Sequence, residues 1–271
     1  MIVAASLMLV IPAFSYQPPA HLQAQFEQAL ADFDQAQTIQ TEDPDRARQL
    51  FRSAAQRFES VAAAGIANGR LEFNLGNCYL QAGDVGKAIA HYRRAEMFIP
   101  RDPLLADNLT EARSRRMTAI KSAPRSTVLR SVFFWHYDTS FVERCRIGII
   151  LYVTFWVLLT LRSFRPSRAL HGLIMVTAVL TLSMAGSIAY EHWSNRHRPN
   201  GVLTAMDVAV YKGPGTGYNR RFEQPLQPGV EFTLREARGG WWNIQLVDGQ
   251  TGWIETDAAE LITPLEQSPS L

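Results

Sequence analysis

Two long apolar runs constrain the fold of this chain more than any other feature. Residues 147–161 carry no charge and lie between Arg146 and Arg162, and residues 169–190 form an uncharged run of about 22 residues. At a rise of about 1.5 Å per residue, the second run covers roughly 33 Å, which is enough to cross the hydrocarbon core of a bilayer. The first run covers roughly 22 Å, so it spans a bilayer only if it recruits residues 141–148 and lets Arg144, Arg146 and Arg162 snorkel to the headgroups.

The surroundings of the two runs favour membrane helices. Neither run has the polar stripe expected of a helix at the edge of a soluble core, which is the alternative interpretation. The sequence therefore predicts transmembrane helices over 141–162 and 169–191. The loop between them, 163–168, contains arginines and no acid, so the positive-inside rule predicts that it is cytoplasmic. Basic residues also flank the opposite ends of the runs, so charge alone does not fix which side of the membrane the loop faces.

The first 15 residues are predicted to be a signal peptide or a short N-terminal anchor. Residues 1–13 are apolar and uncharged, and Ala13 and Ser15 are small residues at the spacing that signal peptidase accepts. A basic n-region is missing, which leaves both interpretations open. If the residues that follow are exported, a two-span hairpin returns the end of the chain to the same side, and both soluble segments are extracytoplasmic.

Residues 20–119 are helical in pattern and contain one clear repeat. Residues 73–100 resemble a tetratricopeptide repeat over almost their full length. The resemblance rests on Leu75, Gly76, Tyr79, Gly83, Asp84, Ala88, Tyr92, Ala95 and Pro100. Small residues at 76 and 88 let two helices cross closely, whereas Glu72 departs from the large aromatic residue usual in the family. A similar spacing over 45–63 indicates a preceding, degenerate repeat, so we expect an α-helical tetratricopeptide (TPR) solenoid over 20–119.

A peptide-binding face is expected on the first helix of this repeat. Its residues are Phe73, Asn74, Asn77 and Gln81. In some tetratricopeptide proteins, asparagines at the positions of Asn74 and Asn77 hydrogen-bond a bound peptide, so the resemblance implies a protein-binding groove. Under the competing interpretation, asparagine is simply common at these positions and contacts no ligand.

Residues 200–263 change to short alternating strands separated by glycine turns, a pattern typical of a small barrel or sandwich. Gly-Trp-Trp at 240–242, followed by Gly-Trp-Ile at 252–254, resembles a bacterial SH3-like domain, which implies a small all-β barrel. Four aromatic residues are expected to line a groove for peptides or proteins, unless the barrel needs them for its core. They are Tyr211, Tyr218, Trp241 and Trp242. The glycine-rich segment 213–217 lacks the Lys-Ser/Thr ending of a phosphate loop and is predicted to be a turn.

Composition argues against several functions. The formal net charge is only +2, which gives no electrostatic footprint for nucleic acid. Two cysteines exclude a four-cysteine metal site within one chain, the six histidines show no metal spacing, and no motif of a serine hydrolase, P-loop or zinc peptidase is present. We therefore expect no enzymatic activity, no metal and no cofactor. Residues 121–168 carry eight basic and two acidic side chains, whereas 1–120 and 191–271 are slightly acidic.

The order of the parts resembles the BatE proteins of bacterial aerotolerance-type operons. The resemblance covers essentially the whole chain, with a linker expected over 120–140 and a disordered tail over 264–271. It implies a multidomain protein of the bacterial inner membrane, with both soluble domains periplasmic, that acts as an adaptor for an envelope complex under stress. The implied partners are membrane proteins with von Willebrand A domains, a BatD-like protein and, across the membrane, a MoxR-type AAA+ ATPase. The alternative is an envelope sensor whose SH3-like domain binds peptidoglycan.

Overall fold

The computed structural model describes residues 19–66, 68–118 and 138–263. The predicted signal peptide or anchor, most of the predicted linker and the predicted tail lie outside these residues. The described residues are mostly helical, with two long apolar helices and one small antiparallel sheet, as the sequence predicts at this level.

Five helices form the first part of the described chain. They are α1 (Ala20–Ile39), α2 (Pro44–Ala63), α3 (Gly69–Gln81), α4 (Val85–Phe98) and α5 (Pro103–Ser114). Polar side chains cap four of them, because each accepts a backbone N–H that has no partner within the first turn. These caps are Asp43, Asn68, Asp84 and Asp102. The turn after α3 contains Gly83 at a φ of 87°, a left-handed conformation that favours glycine.

Each of these helices packs against the next one along the chain, and most of their buried side chains form one apolar core. Helices α3 and α4 approach closely at Gly76, where a Cβ atom would lie 2.4 Å from the ring of Tyr92. Tyr92 is completely buried. This contact supplies the physical reason for a small residue at position 76, since any side chain there would displace the tyrosine ring.

The departure from the repeat pattern at Glu72 has a local explanation. Its Oε2 atom lies 2.8 Å from Nδ1 of His91 on α4, and both residues are buried. The ring of Tyr79 stacks on the His91 ring, with the centroids 5.3 Å apart. A buried polar group is tolerated only when it is hydrogen-bonded, and this pair meets that requirement between α3 and α4.

The two apolar runs form a helical hairpin of α6 (Phe141–Phe164) and α7 (Arg168–His197), which pack along each other. Both helices are long and apolar enough to cross a membrane. Of the most apolar 18 residues of each helix, 0% are buried in α6 and 11% in α7. A core helix of a soluble protein would be mostly buried. Helix α6 begins at Phe141, so the short first run does recruit residues before it.

Ion pairs lie at the end of the hairpin where α6 begins. Arg144 is only 3% exposed and pairs with Glu191 of α7. The sequence predicted that Arg144 would snorkel to the headgroups; instead its side chain turns across the hairpin, where the carboxylate compensates its charge. At the same end, Nη2 of Arg101 lies 2.6 Å from Oε1 of Glu143, and α4 contacts α6. The five-helix part is therefore attached to this end of the hairpin.

The last part of the described chain is a five-stranded antiparallel sheet. Its strands are β1 (Asn200–Leu203), β2 (Glu231–Arg238), β3 (Trp241–Leu246), β4 (Thr251–Glu255) and β5 (Ala259–Leu261). Their order is β4-β3-β2-β1-β5, so the sheet is open, with β4 and β5 at its edges. Segment 208–226 reaches the β4 edge, where Tyr211 and Trp253 exchange two backbone hydrogen bonds of 2.8 Å.

One face of the sheet packs an apolar core. Its members include Leu203, Val210, Val230, Phe232, Ile244 and Ile254. Gly252 permits this packing, because a Cβ atom there would lie 2.3 Å from Cγ1 of Val210. Side chains alternate between the two faces of a strand, so the odd-numbered residues of β3 and β4 point away from this core.

The sheet packs directly on α4. Val202 of β1 and Ile262, which follows β5, are part of the buried helical core. At Gly86 of α4, a Cβ atom would lie 2.6 Å from the backbone oxygen of Leu203. Glycine at this position therefore lets the backbone of a helix touch the backbone of a strand, and the five helices and the sheet form one packed body.

Candidate binding surfaces

The first predicted surface lies on α3 and consists of Phe73, Asn74, Asn77 and Gln81, here called the α3 face. All four residues are partly buried. The ring of Phe73 lies 5.9 Å from that of Tyr92 and packs against the helical core. The structure thus places the four residues on one helix, but their side chains differ in how much of each is free.

Asn77 is engaged in an internal network. Its Oδ1 atom accepts hydrogen bonds from the Tyr92 hydroxyl at 2.7 Å and from Nδ2 of Asn108 at 2.8 Å. Burial of the Tyr92 ring raises the pKa of its hydroxyl, which therefore stays protonated as the donor. Asn77 thus joins α3, α4 and α5, and this structural task accounts for an asparagine here without a ligand.

Gln81 also contacts another part of the chain. Its Oε1 atom accepts a hydrogen bond of 3.1 Å from Nε2 of Gln40, which follows α1. Asn74 makes no such contact among the described residues. The α3 face is therefore available to a partner mainly through Asn74 and the exposed edge of Phe73.

The second surface lies on the sheet face opposite the apolar core. Trp253 of β4 is paired with Tyr211 on one side and with Asn243 of β3 on the other, so the three side chains share a face. Trp241 points the same way, and its ring meets that of Tyr211 edge-on at 5.6 Å. We call Tyr211, Trp241, Asn243 and Trp253 the aromatic face.

Two of the four predicted aromatics do not belong to this surface. Trp242 lies on the opposite side of β3, packed with Phe232 against the core at a centroid distance of 6.5 Å. Tyr218 is 53% exposed and covers Gly213, where a Cβ atom would lie 2.5 Å from its ring. Tyr211 and Trp241 are brought together, whereas Trp242 and Tyr218 have separate surroundings.

Trp253 belongs to the aromatic face, but the sequence analysis did not select it as a site residue. A signal was present, because Gly252 and Ile254 alternate with it and both face the core. Strand alternation then sends residue 253 to the other side. Its side chain is only 8% exposed.

Asn243 gives the aromatic face a polar group. Within the described residues, its buried Oδ1 atom has no hydrogen-bond partner. A buried acceptor without a donor costs about 1–3 kcal/mol, and a ligand reaches this one only after the side chains that cover it move. The aromatic face thus combines stacking rings with an unused acceptor, a combination suited to a peptide or a sugar.

A third group of residues joins the helices to the sheet around Glu231 of β2. Arg113 binds its carboxylate with two hydrogen bonds, from Nη2 at 2.8 Å and from Nε at 3.1 Å. Nε of Arg93 lies 3.3 Å from the same carboxylate, and Nη1 of Arg116 lies 4.0 Å from it. Helix α4, helix α5 and the residues just after α5 therefore supply three guanidinium groups to one carboxylate of the sheet.

These contacts determine the charge state of Glu231. Burial alone would raise the pKa of its carboxyl, but the hydrogen bonds and charge of Arg113, followed by the charges of Arg93 and Arg116, outweigh burial and hold the pKa below its usual range. Glu231 is therefore ionised at neutral pH. It is a largely buried ion-pair centre that attaches the sheet to the helices.

A second ion pair supports this attachment. Nη2 of Arg94 lies 2.9 Å from Oε2 of Glu260 and donates a hydrogen bond of 2.9 Å to the backbone oxygen of Leu261. Both acceptors belong to β5, an edge strand. Arg94 thus satisfies an edge carbonyl that would otherwise be open to solvent or to another strand.

Metal centres and reactive thiols are two kinds of group that commonly carry catalysis. Among the described residues, no group of three or more His, Cys, Asp or Glu side chains lies close enough to hold a metal ion. Cys78 lies buried in the helical core, and burial raises the pKa of its thiol to about 12. The thiol is thus protonated at neutral pH, and the reactive thiolate form is not populated.

Neither a protein-family model nor a curated protein nor a solved structure matches this chain. The likeness to tetratricopeptide, SH3-like and BatE proteins is therefore carried only by the residues quoted for it, and what it implies for function is a proposal.

Proposed function

We propose that this protein is a membrane-anchored, non-enzymatic adaptor that assembles a protein complex in the bacterial cell envelope. The five helices act as TPR-like repeats and the sheet as an SH3-like module. The α3 face and the aromatic face each bind a protein. The hairpin of α6 and α7 holds both modules at the inner membrane, on its periplasmic side.

The packing of the helices against the sheet is the observation that supports the membrane arrangement in this proposal. Glu231 and Glu260 of the sheet are paired with arginines of α4 and α5, and Gly86 touches the backbone of β1. Two segments in such contact cannot lie on opposite sides of a bilayer. The chain between them must cross a membrane an even number of times, and α6 and α7 supply two crossings.

The position of this body on the hairpin agrees with the charge pattern. The contact between Arg101 and Glu143 lies at the end where α6 begins, while the loop 165–167 lies at the other end. That loop is flanked by arginines, which are retained in the cytoplasm. The body is then on the periplasmic side, where envelope proteins meet.

The partners proposed here come from the resemblance to BatE proteins. They are membrane proteins with von Willebrand A domains, a BatD-like protein and a MoxR-type AAA+ ATPase acting from the cytoplasm. A stress-related role follows from the same resemblance. Since the two faces are fixed relative to each other, the protein would hold two of these partners at a constant separation.

Site-specific photo-crosslinking tests the adaptor function. A crosslinking amino acid is placed at Asn74 or at Trp241 of the full chain, and at Tyr218 as an exposed control, in cells that also produce the proposed partners. We expect A-domain or BatD-like proteins to be captured from positions 74 and 241 and not from 218. Equal capture at all three positions, or no protein captured at 74 and 241, would contradict the proposal.

A reporter assay tests the topology. Fusions to a periplasm-dependent and a cytoplasm-dependent enzyme are made at Arg125 and after Leu271. Both positions should give activity only with the periplasmic reporter, since they adjoin segments that contact each other. Cytoplasmic activity at either position would overturn the hairpin arrangement.

The second candidate function is a peptidoglycan-binding envelope sensor. The aromatic face favours it, because neighbouring aromatic rings beside an acceptor without a partner also suit the glycan and peptide parts of the cell wall. Co-sedimentation of the full chain in detergent with purified peptidoglycan tests it. Retention that is lost in Trp241→Ala but kept in Tyr218→Ala, without protein crosslinks from position 74, would replace the adaptor with the sensor.

A further inference from the structure

Three arginines form the connection between α6 and α7. Arg162 lies in the last turn of α6, Arg165 in the connection and Arg168 at the start of α7, and all three are exposed. We call residues 162–168 the arginine turn. Within the described residues, none of the three arginines has an ion-pair partner.

Along the hairpin of α6 and α7, which the structure describes throughout, no acid lies near enough to neutralise this charge. The sequence contains no Asp or Glu between Glu143 and Glu191, and both of these lie at the other end of the hairpin. Glu143 is 19 residues from Arg162 along α6, which corresponds to about 28 Å of helix. This is more than three Debye lengths at physiological ionic strength, where one is about 8 Å. The charge of the arginine turn is therefore uncompensated within the hairpin.

The shape of the turn determines what can reach it. Only residues 165–167 separate the two helices, so the turn does not extend far beyond the ends of the apolar runs. Phe164, next to Arg165, is 81% exposed. An exposed aromatic ring beside exposed guanidinium groups fits the boundary between acyl chains and headgroups, where the ring enters the apolar layer and the arginines remain at the phosphates.

The attraction of this turn for anions does not come from the N-terminus of α7. The first turn of α7 is already capped, since the Ser167 hydroxyl accepts the N–H of Leu170 at 3.1 Å. The attraction for an anion thus comes from three side chains that each offer several N–H donors in a planar group, a geometry that matches phosphate oxygens.

We propose that the arginine turn binds the headgroups of anionic phospholipids in the leaflet that it faces. The proposal rests on the proposed function in one respect, namely that α6 and α7 span the membrane. Phosphatidylglycerol and cardiolipin have the required net negative charge, whereas phosphatidylcholine has none. A basic residue at an anionic membrane surface contributes about 1 kcal/mol, which corresponds to about fivefold in local lipid enrichment per arginine.

Electron spin resonance with spin-labelled lipids tests this. The full chain is reconstituted in phosphatidylcholine vesicles containing a trace of phosphatidylglycerol or phosphatidylcholine that carries a nitroxide on its acyl chain. The signal separates lipid immobilised next to the protein from free lipid. We expect the immobilised fraction to favour phosphatidylglycerol about twofold or more when averaged over all lipid sites, and 1 M salt to weaken this preference.

Two triple variants locate the effect. Arg162, Arg165 and Arg168 are replaced by glutamine in one variant; Arg146, Arg196 and Arg198, at the opposite end of the hairpin, are replaced in the matched control. The turn variant should lose most of the preference and the control should keep most of it. Lysine at the three turn positions should retain more than half, because the charge remains.

The outcomes separate failure of this proposal from failure of the proposed function. If neither label is immobilised, the helices do not span the bilayer and the membrane anchor is wrong. If both labels are immobilised equally in the wild type, the helices span but the turn does not select anionic lipid, and an acidic protein becomes its candidate partner. An equal loss of preference in the two glutamine variants would also overturn the proposal.

Discussion

Two groups of arginines in this chain differ in their acidic partners. In α4 and α5, Arg93, Arg94 and Arg113 are paired with carboxylates of a sheet more than a hundred residues away in sequence. In the arginine turn, the same residue type has no such partner among the described residues. The first set holds two parts of the protein together, and the second is available to bind something else.

This difference teaches that residue type and charge do not by themselves define a role. Burial makes an arginine costly unless a carboxylate meets it, so buried arginines indicate an attachment between segments. Exposed arginines without acids carry no such cost and leave their donors free. The same distinction separates Asn77, which is hydrogen-bonded internally, from Asn74 on the same helix.

The largest expected effect is that of Glu231→Gln. The substitution leaves three guanidinium groups beside a neutral amide, which should cost about 2–4 kcal/mol of stability, because breaking a largely buried ion pair leaves charge uncompensated. Thermal unfolding of the full chain in detergent should show a melting temperature lower by roughly 5–10 °C. Glu255→Gln, an exposed glutamate of β4, is the control and should change little. Equal effects of the two substitutions would show that Glu231 attaches nothing.

Acid should weaken the same attachment. The pKa of Glu231 is lowered in the folded state, so its contribution to stability is complete above the unfolded value of about 4.3 and is lost as the pH falls through the folded value. Unfolding of the wild type is therefore expected to be insensitive to Glu231 titration between pH 5 and 7 and to become easier below about pH 4. Glu231→Gln should show less of this acid dependence. An identical pH profile for both proteins would contradict the assignment.

A smaller effect distinguishes the two asparagines of α3. Asn77→Ala removes the acceptor used by Tyr92 and Asn108 and should cost about 1–2 kcal/mol, since two buried donors lose their partner. Asn74→Ala should leave the melting temperature nearly unchanged and weaken partner capture instead. Denaturation and photo-crosslinking together measure both effects. If Asn74→Ala is the more destabilising, the division of the α3 face into structural and available parts is wrong.

The smallest effect on stability is expected for the glutamine variant of the arginine turn. Exposed substitutions away from buried contacts usually change stability by within about 0.5 kcal/mol each. The variant should therefore melt close to the wild type while losing its lipid preference. A large drop in melting temperature would mean that the turn has a structural partner, and its contrast with the Glu231 region would disappear.

The sequence is most informative where the pattern is local. The uncharged runs predict α6 and α7, because the length and composition of each run indicate a membrane helix without information about any distant segment. Gly76 is predictable for a similar reason, since both helices that cross there belong to one repeat. The alternation around Trp253 was equally local, and using it would have placed that residue on the aromatic face.

Contacts between distant segments were not predictable from one sequence. Arg144 and Glu191 are 47 residues apart, and only the register of the hairpin brings them together. In the sequence, Glu231 is an ordinary polar residue at the start of a strand. The residues around it do not indicate that arginines from the region of α4 and α5 will pair with it. Trp241 and Trp242 were both expected in one groove, but they are adjacent in sequence and so lie on opposite faces of β3.

The length of α7 has a consequence for how this protein could be altered. Its 30 residues extend about 45 Å, some 15 Å more than a bilayer core, and only Arg198 and Pro199 separate it from β1. Adding one residue beyond the membrane would turn the sheet by about 100° around the helix axis and raise it by about 1.5 Å. The sheet would then no longer meet α4 at Gly86, so this stretch of α7 should tolerate substitutions far better than insertions or deletions.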